Sequence, residues 1–158
     1  MGLFDKKKAL KHVDQGLLYH KNKIYTRAEK EYLIAIKLNP QLADAHLHYG
    51  DLLKSTKRPR AAETEYRKAI ECDQELAEAY GALGELYHKQ QNIEEAEKMY
   101  KTALSYKPQL VTIRVNYGTL LMDQTRFTEA REMFSSALQY TNNDKLREFI
   151  MSKLGGGA

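Results

Sequence analysis

The sequence predicts an all-α solenoid of four helix-turn-helix units closed by a C-terminal capping helix. Three observations carry this. Gly16, Gly50, Gly84 and Gly118 stand 34 residues apart. Each is followed by an alanine (Ala28, Ala62, Ala96, Ala130) and then an aromatic ring (Tyr32, Tyr66, Tyr100, Phe134) at the same spacing. A second alanine column, Ala35, Ala69, Ala103 and Ala137, keeps that period without an insertion. The units run 9–42, 43–76, 77–110 and 111–144.

The elements follow in order. Residues 1–8 form a basic N-terminal segment. The second helix of the first unit ends at Pro40, and that of the second unit starts at Pro59, where a missing N–H costs nothing. In the third unit Tyr80, Leu83, Gly84 and Tyr87 share one helix face. Gln91 and Asn92 make the turn, and Asn92 with Glu95 has the form of a capping box. Ile93, Ala96, Met99, Tyr100, Ala103 and Leu104 make a second apolar stripe, ended by Lys107-Pro108. After the fourth unit, Asn142, Asn143 and Asp144 offer helix caps. Leu146, Phe149, Ile150 and Leu154 then recur at helical spacing, with Ser152 in the small-residue column, and predict a capping helix over 145–154. Gly155 opens a flexible tail, 155–158. A mid-helix glycine costs about 1 kcal/mol relative to alanine. Close helix approach compensates if the Tyr/Phe ring of the partner helix fills the space, which makes these aromatics core.

Composition narrows the class. The 158 residues are 42% hydrophobic and 29% charged, which argues against wholesale disorder. No apolar run reaches the roughly 18–20 residues of a membrane span, and no apolar stretch of signal-peptide type follows the basic start. A single cysteine, Cys72, excludes an internal disulfide framework and a cysteine-based zinc site. Nine glycines and three prolines argue against a turn-rich β fold. A soluble cytoplasmic protein is expected. The net charge of +4 comes from the N-terminal end, where residues 1–42 hold nine Lys/Arg against four Asp/Glu, Lys6, Lys7, Lys8 and Lys11 foremost. A basic-end adaptor for nucleic acid or anionic membrane is therefore the alternative function, though a solubilising terminus is the simpler reading.

On these columns the sequence resembles the tetratricopeptide repeat (TPR) family over 136 of its 158 residues. The family pattern asks for large residues at repeat positions 4, 7 and 11, a small one at 8, Ala at 20 and 27, an aromatic at 24 and Pro at 32. The third unit meets all eight with Tyr80, Leu83, Tyr87, Gly84, Ala96, Ala103, Tyr100 and Pro108. Departures are His12, His46 and Arg114 at position 4, Gln15 at position 7, and Gln74 and Asn142 at position 32. His12 and Gln15 suit a terminal repeat that faces solvent.

The resemblance implies a right-handed superhelix whose concave groove is lined by the first helix of each unit. Positions 2, 5, 9 and 12, with 13 beside them, would face the groove. They hold Leu10, Val13, Leu17, His20 and Lys21; Asp44, Leu47, Asp51, Lys54 and Ser55; Glu78, Gly81, Glu85, His88 and Lys89; and Thr112, Val115, Thr119, Met122 and Asp123. The stripe is apolar at its start, acidic in the middle with a basic edge, and mildly apolar at its end. Family members that clamp a chaperone's C-terminal carboxylate carry a Lys/Asn/Asn/Lys/Arg set. Here those positions hold Val13, Leu17, His48, Glu78 and Ala82, or one unit later Leu47, Asp51, Ala82, Thr112 and Asn116. No such clamp is expected.

No enzyme motif is present: no P-loop, GxSxG or HExxH. His46 and His48 point about 200° apart on a helix and cannot share a metal, so neither metal nor cofactor is expected. Cys72 reads as a partly buried thiol, and Lys57-Arg58-Pro59-Arg60 as a solvated turn. Gly2 lacks the Ser/Thr a myristoylation signal wants, Lys6 standing there instead. The expected function is a non-enzymatic interaction module or scaffold for an extended or helical segment of another protein, with self-association a further mode. Apolar anchors would meet Leu10, Val13 and Leu17, or Val115 and Met122. A basic residue would meet Asp44, Asp51, Glu78 and Glu85, unless Lys54 and Lys89 already neutralise them.

Overall fold

The computed structural model describes residues 3–155. Met1, Gly2 and residues 156–158 fall outside the description, and with them most of the expected tail. The described residues form α1 (Leu3–Lys21), α2 (Tyr25–Leu38), α3 (Ala43–Ser55), α4 (Pro59–Cys72), α5 (Ala77–Lys89), α6 (Ile93–Tyr106), α7 (Val111–Asp123), α8 (Phe127–Leu138) and α9 (Asp144–Gly155), with no strand among them. α1 takes in the basic residues Lys6, Lys7 and Lys8 as helix.

The chain divides into two compact units, up to Ala82 and from Leu83 onward, the boundary falling inside α5. In the first, α1 packs on α2, α3 on α4, and α3 also touches α1 and α2. In the second, α7 packs on α8, α6 on α7 and α8 on α9. Glycine is required where each first helix meets its partner's ring. A Cβ on Gly16 or Gly50 would stand 2.5 Å from Tyr32 or Tyr66, one on Gly84 2.7 Å from Tyr100, and one on Gly118 2.9 Å from Phe134. All four rings are fully buried.

Each intra-repeat turn closes the same way. Lys23, Lys57, Gln91 and Thr125 take positive φ of 60°, 60°, 62° and 59°. The residue after each donates five residues back, as from Asn92 N to Tyr87 O at 2.9 Å, and Gln91 N itself reaches His88 O at 3.0 Å. This is a Schellman closure without glycine. It also corrects the expected capping box. The turn holds Asn92 at φ −88°, ψ 78°, where its side chain makes no cap hydrogen bond; a capping residue needs extended backbone to aim its oxygen at the helix.

The junctions between repeats use the position-4 departures as tethers. His46 joins Pro40 O through Nε2 at 3.0 Å and Glu65 Oε2 through Nδ1 at 2.7 Å. Tyr80 donates to Gln74 O at 3.1 Å, and Arg114 Nε donates to Pro108 O at 2.7 Å.

A second device sits deeper. Glu29 accepts the Tyr49 hydroxyl at 2.9 Å and both Arg58 terminal nitrogens at 2.8 and 3.0 Å. Glu97 repeats this with Tyr117 at 2.8 Å and Arg126 at 2.6 and 3.2 Å. Arg58 is thus held in a forked pair and not simply solvated, as its turn had suggested. The Arg126 guanidinium, helped by Lys101 and Tyr117, holds the Glu97 carboxyl down at about 2. Burial, and after it the Glu29 carboxylate, pushes the Tyr49 phenol up to about 12.

Asn143 Oδ1 caps α9, accepting from Leu146 N at 3.0 Å. Ile150 is the residue α9 buries completely. Phe149, expected on the same apolar face, is 43% exposed, with the Lys153 ammonium 5.4 Å above its ring. Gly155 closes α9 and does not begin the tail.

Candidate functional site

Position 5 belongs to the core. Val13, Leu47 and Val115 are only 3, 6 and 7% exposed, and this corrects the expectation that they line an open groove. Val13 packs in a cluster with Ala9, Ala28 and Tyr32. Direct contact between α1 and α3 leaves a side chain between neighbouring first helices no outlet. The column is apolar or glycine in all four repeats, the signal that could have revealed it.

The rest of the stripe stays accessible to different degrees. In the first unit, Leu10 and Leu17, two turns apart on α1, are each 38% exposed. Lys21 and Asp44 are exposed; His20, Lys54 and Glu78 are half-buried. His20 Nε2 lies 3.1 Å from Ser55 Oγ, and burial lowers its pKa against the opposing pull of Asp51. Asp51 accepts the Tyr66 hydroxyl at 2.8 Å, with His48 Nδ1 at 3.7 Å from its other oxygen.

In the second unit, Lys89 Nζ reaches Glu85 Oε1 at 2.6 Å and His88 Nε2 meets Asp123 Oδ2 at 2.9 Å. Met122 and Thr119 are half-buried, and the Thr119 hydroxyl donates to Val115 O at 2.9 Å. Glu85, His88 and Lys89 on α5, Tyr100 on α6, and Asn116 and Thr119 on α7 surround a pocket of about 340 Å³. Sequence reasoning did not find this pocket, because half of its wall comes from the following repeat.

The ring hydroxyls are unequal. Those of Tyr32 and Tyr100 are buried and meet no hydrogen-bond partner among the described residues. Leaving such a group unpaired costs about 1–3 kcal/mol. Among the described residues no group of three or more His, Cys, Asp or Glu is placed to hold a metal ion. What the stripe offers chemically is a set of apolar contacts and paired charges, suited to recognition.

The tetratricopeptide repeat family profiles match residues 13–77, 65–98 and 87–147. No curated protein sequence matches the chain. Among solved structures, the Pseudomonas aeruginosa pilF protein is similar at 21% identity over 98% of this chain and 78% of its own, with a TM-score of 0.83. The first TPR of Spaghetti, bound to an HSP90 peptide, is similar at 21% identity over 76% of this chain and 98% of its own, TM-score 0.72. YrrB, a TPR protein with an unusual peptide-binding site, is similar at 18% identity over 91% of this chain and 74% of its own, TM-score 0.70. At such identities the likeness establishes the fold alone.

Proposed function

The chain belongs to the tetratricopeptide repeat family, and from that premise we propose that it is a non-catalytic interaction module whose first helices take an extended or helical segment of a partner protein. One observation carries the reading. Leu10 and Leu17 stand exposed on one face of α1, outside the core, at a spacing that suits apolar anchors. Two structural neighbours, one bound to an HSP90 peptide and one with an unusual peptide-binding site, support a peptide ligand by analogy. The residues of a C-terminal carboxylate clamp are not in place, so an internal segment is the expected ligand. Asp44 and Glu78 would set its register through a basic residue, with affinity coming mainly from the apolar anchors. No helix among the described residues is long and apolar enough to cross a membrane, and a cytoplasmic setting fits the lone cysteine.

The test is capture of partners by the wild-type chain, by the Leu10→Glu/Leu17→Glu variant, and by Glu71→Lys on the exposed side of α4. Loss of a captured protein in the first variant alone, with helicity intact, supports the reading. Unchanged capture, or equal loss in the α4 control, places the site elsewhere.

A further inference from the structure

The four floor rings differ only in what their hydroxyls do. Phe134 has none, so the fold does not need one. Tyr66 donates to Asp51 Oδ1 at 2.8 Å. Asp51 and Glu85 hold the same repeat position, each fifteen residues ahead of its ring. Glu85, one methylene longer, is drawn instead to Lys89 at 2.6 Å, and the buried Tyr100 hydroxyl is left without an acceptor among the described residues. Burial first, then the Glu85 charge, raises the Tyr100 pKa, so that carboxylate acts on the phenol even while paired elsewhere. Both groups line the α5–α7 pocket, together with Lys89, Asn116 and Thr119.

The geometry points to this pocket as a subsite for an acidic side chain, aspartate or glutamate, of the bound segment: the incoming carboxylate takes Lys89, and Glu85, released, accepts the Tyr100 hydroxyl as Asp51 accepts that of Tyr66. This deepens the interaction reading above and rests on it. A cationic side chain could only replace Lys89 with a like charge. A neutral amide carries no charge to draw Lys89 away. The Asn116 amide, half-buried on α7, is a second donor for the carboxylate. His88 is already held by Asp123 at 2.9 Å. In the first unit Leu17 occupies the place of Glu85, so the buried Tyr32 hydroxyl has no glutamate to receive and the exchange is confined to the second unit.

The experiment titrates the full ¹⁵N-labelled chain with the blocked peptide acetyl-Ala-Glu-Ala-amide and with its Gln and Lys counterparts. The readout is the Asn116 side-chain amide and the Thr119 backbone amide. The glutamate peptide is expected to shift both resonances and to bind more tightly than the other two. Lys89→Gln, at a well-exposed side chain, weakens it by about threefold. Tyr100→Phe weakens it by about fivefold while the thermal midpoint holds or rises, because an unpaired hydroxyl has been removed. That combination, weaker binding without lost stability, is one a merely structural role would not produce. Equal shifts from the Gln or Lys peptide overturn the acidic preference. Wild-type binding by Tyr100→Phe overturns the exchange, the hydroxyl then being hydrated only. Silence from all three peptides overturns the subsite, while capture through Leu10 and Leu17 in the other unit is judged separately.

Discussion

A methyl group on Gly50 tests the packing of α3 on α4 most directly. Its Cβ would lie 2.5 Å from Tyr66 Cε1 and 2.7 Å from Cδ1, where carbon atoms need about 3.5–4.0 Å. The ring has no room to yield, being fully buried and pinned through its hydroxyl to Asp51 at 2.8 Å. The helices must part by about 1 Å, an overpacking worth about 1–3 kcal/mol. Alanine recovers about 0.8–1 kcal/mol of helix propensity, so Gly50→Ala should lose about 1–2 kcal/mol overall. That lowers the thermal midpoint by about 2–8 °C at this chain length. Gly118→Ala should lose less, because the nearest approach there is 2.9 Å to a phenylalanine with no hydroxyl to pin it. Thermal unfolding followed by circular dichroism reads both. In a Tyr66→Leu background, which removes the ring, Gly50→Ala should be neutral or stabilising. A raised midpoint for Gly50→Ala alone, or the same loss in both backgrounds, would refute the reasoning.

Thr125→Gly should stabilise by about 1 kcal/mol, since a β-branched residue at φ 59° is strained; an unchanged or lower midpoint would show that the turn carries no strain. The depressed Glu97 pKa, about 2 against an ordinary 4.5, stabilises the fold fully above about pH 4.5 and is lost as pH falls towards 2. In Arg126→Met that part of the acid dependence should flatten, and an identical profile would assign it to other carboxylates. Removing residues 145–158 uncovers the apolar surface that Ile150 seals on α8 and should cause self-association seen by light scattering; a stable monomer would mean α9 is no cap.

The repeat register was legible because glycine, alanine and aromatic columns are local consequences of one helix approaching another. The positive-φ turns were not, because Lys23, Lys57, Gln91 and Thr125 are not residues that ordinarily announce that conformation. The Tyr–Glu–Arg sets were hidden for another reason. Tyr49 and Arg58 lie 20 and 29 residues from Glu29, in the next repeat, and no periodicity within one helix connects them. Position 4 looked like weakness at His46 and Arg114, whereas their polar ends answer carbonyls that a large apolar residue would leave unpaired. Of the stripe, the exposed leucines were legible. The pocket over Tyr100 was not, since it exists only once α7 stands beside α5.

The Tyr–Glu–Arg sets also give the chain a parity. Glu29 and Glu97, Tyr49 and Tyr117, and Arg58 and Arg126 are each separated by 68 residues, two repeats. His20–Ser55 and His88–Asp123 follow the same doubled spacing, as do the unpaired hydroxyls of Tyr32 and Tyr100. At the intermediate register the corresponding residues are Glu63, Leu83 and Asn92, without the tyrosine or the arginine. The chain is therefore written in double words, and its length is editable only in even steps. Excising residues 43–110 would set Glu29 beside Tyr117 and Arg126 and restore a complete set. Excising 43–76 alone would set it beside Leu83 and Asn92 and strand its charge, so the chain that loses more sequence should unfold with the sharper transition.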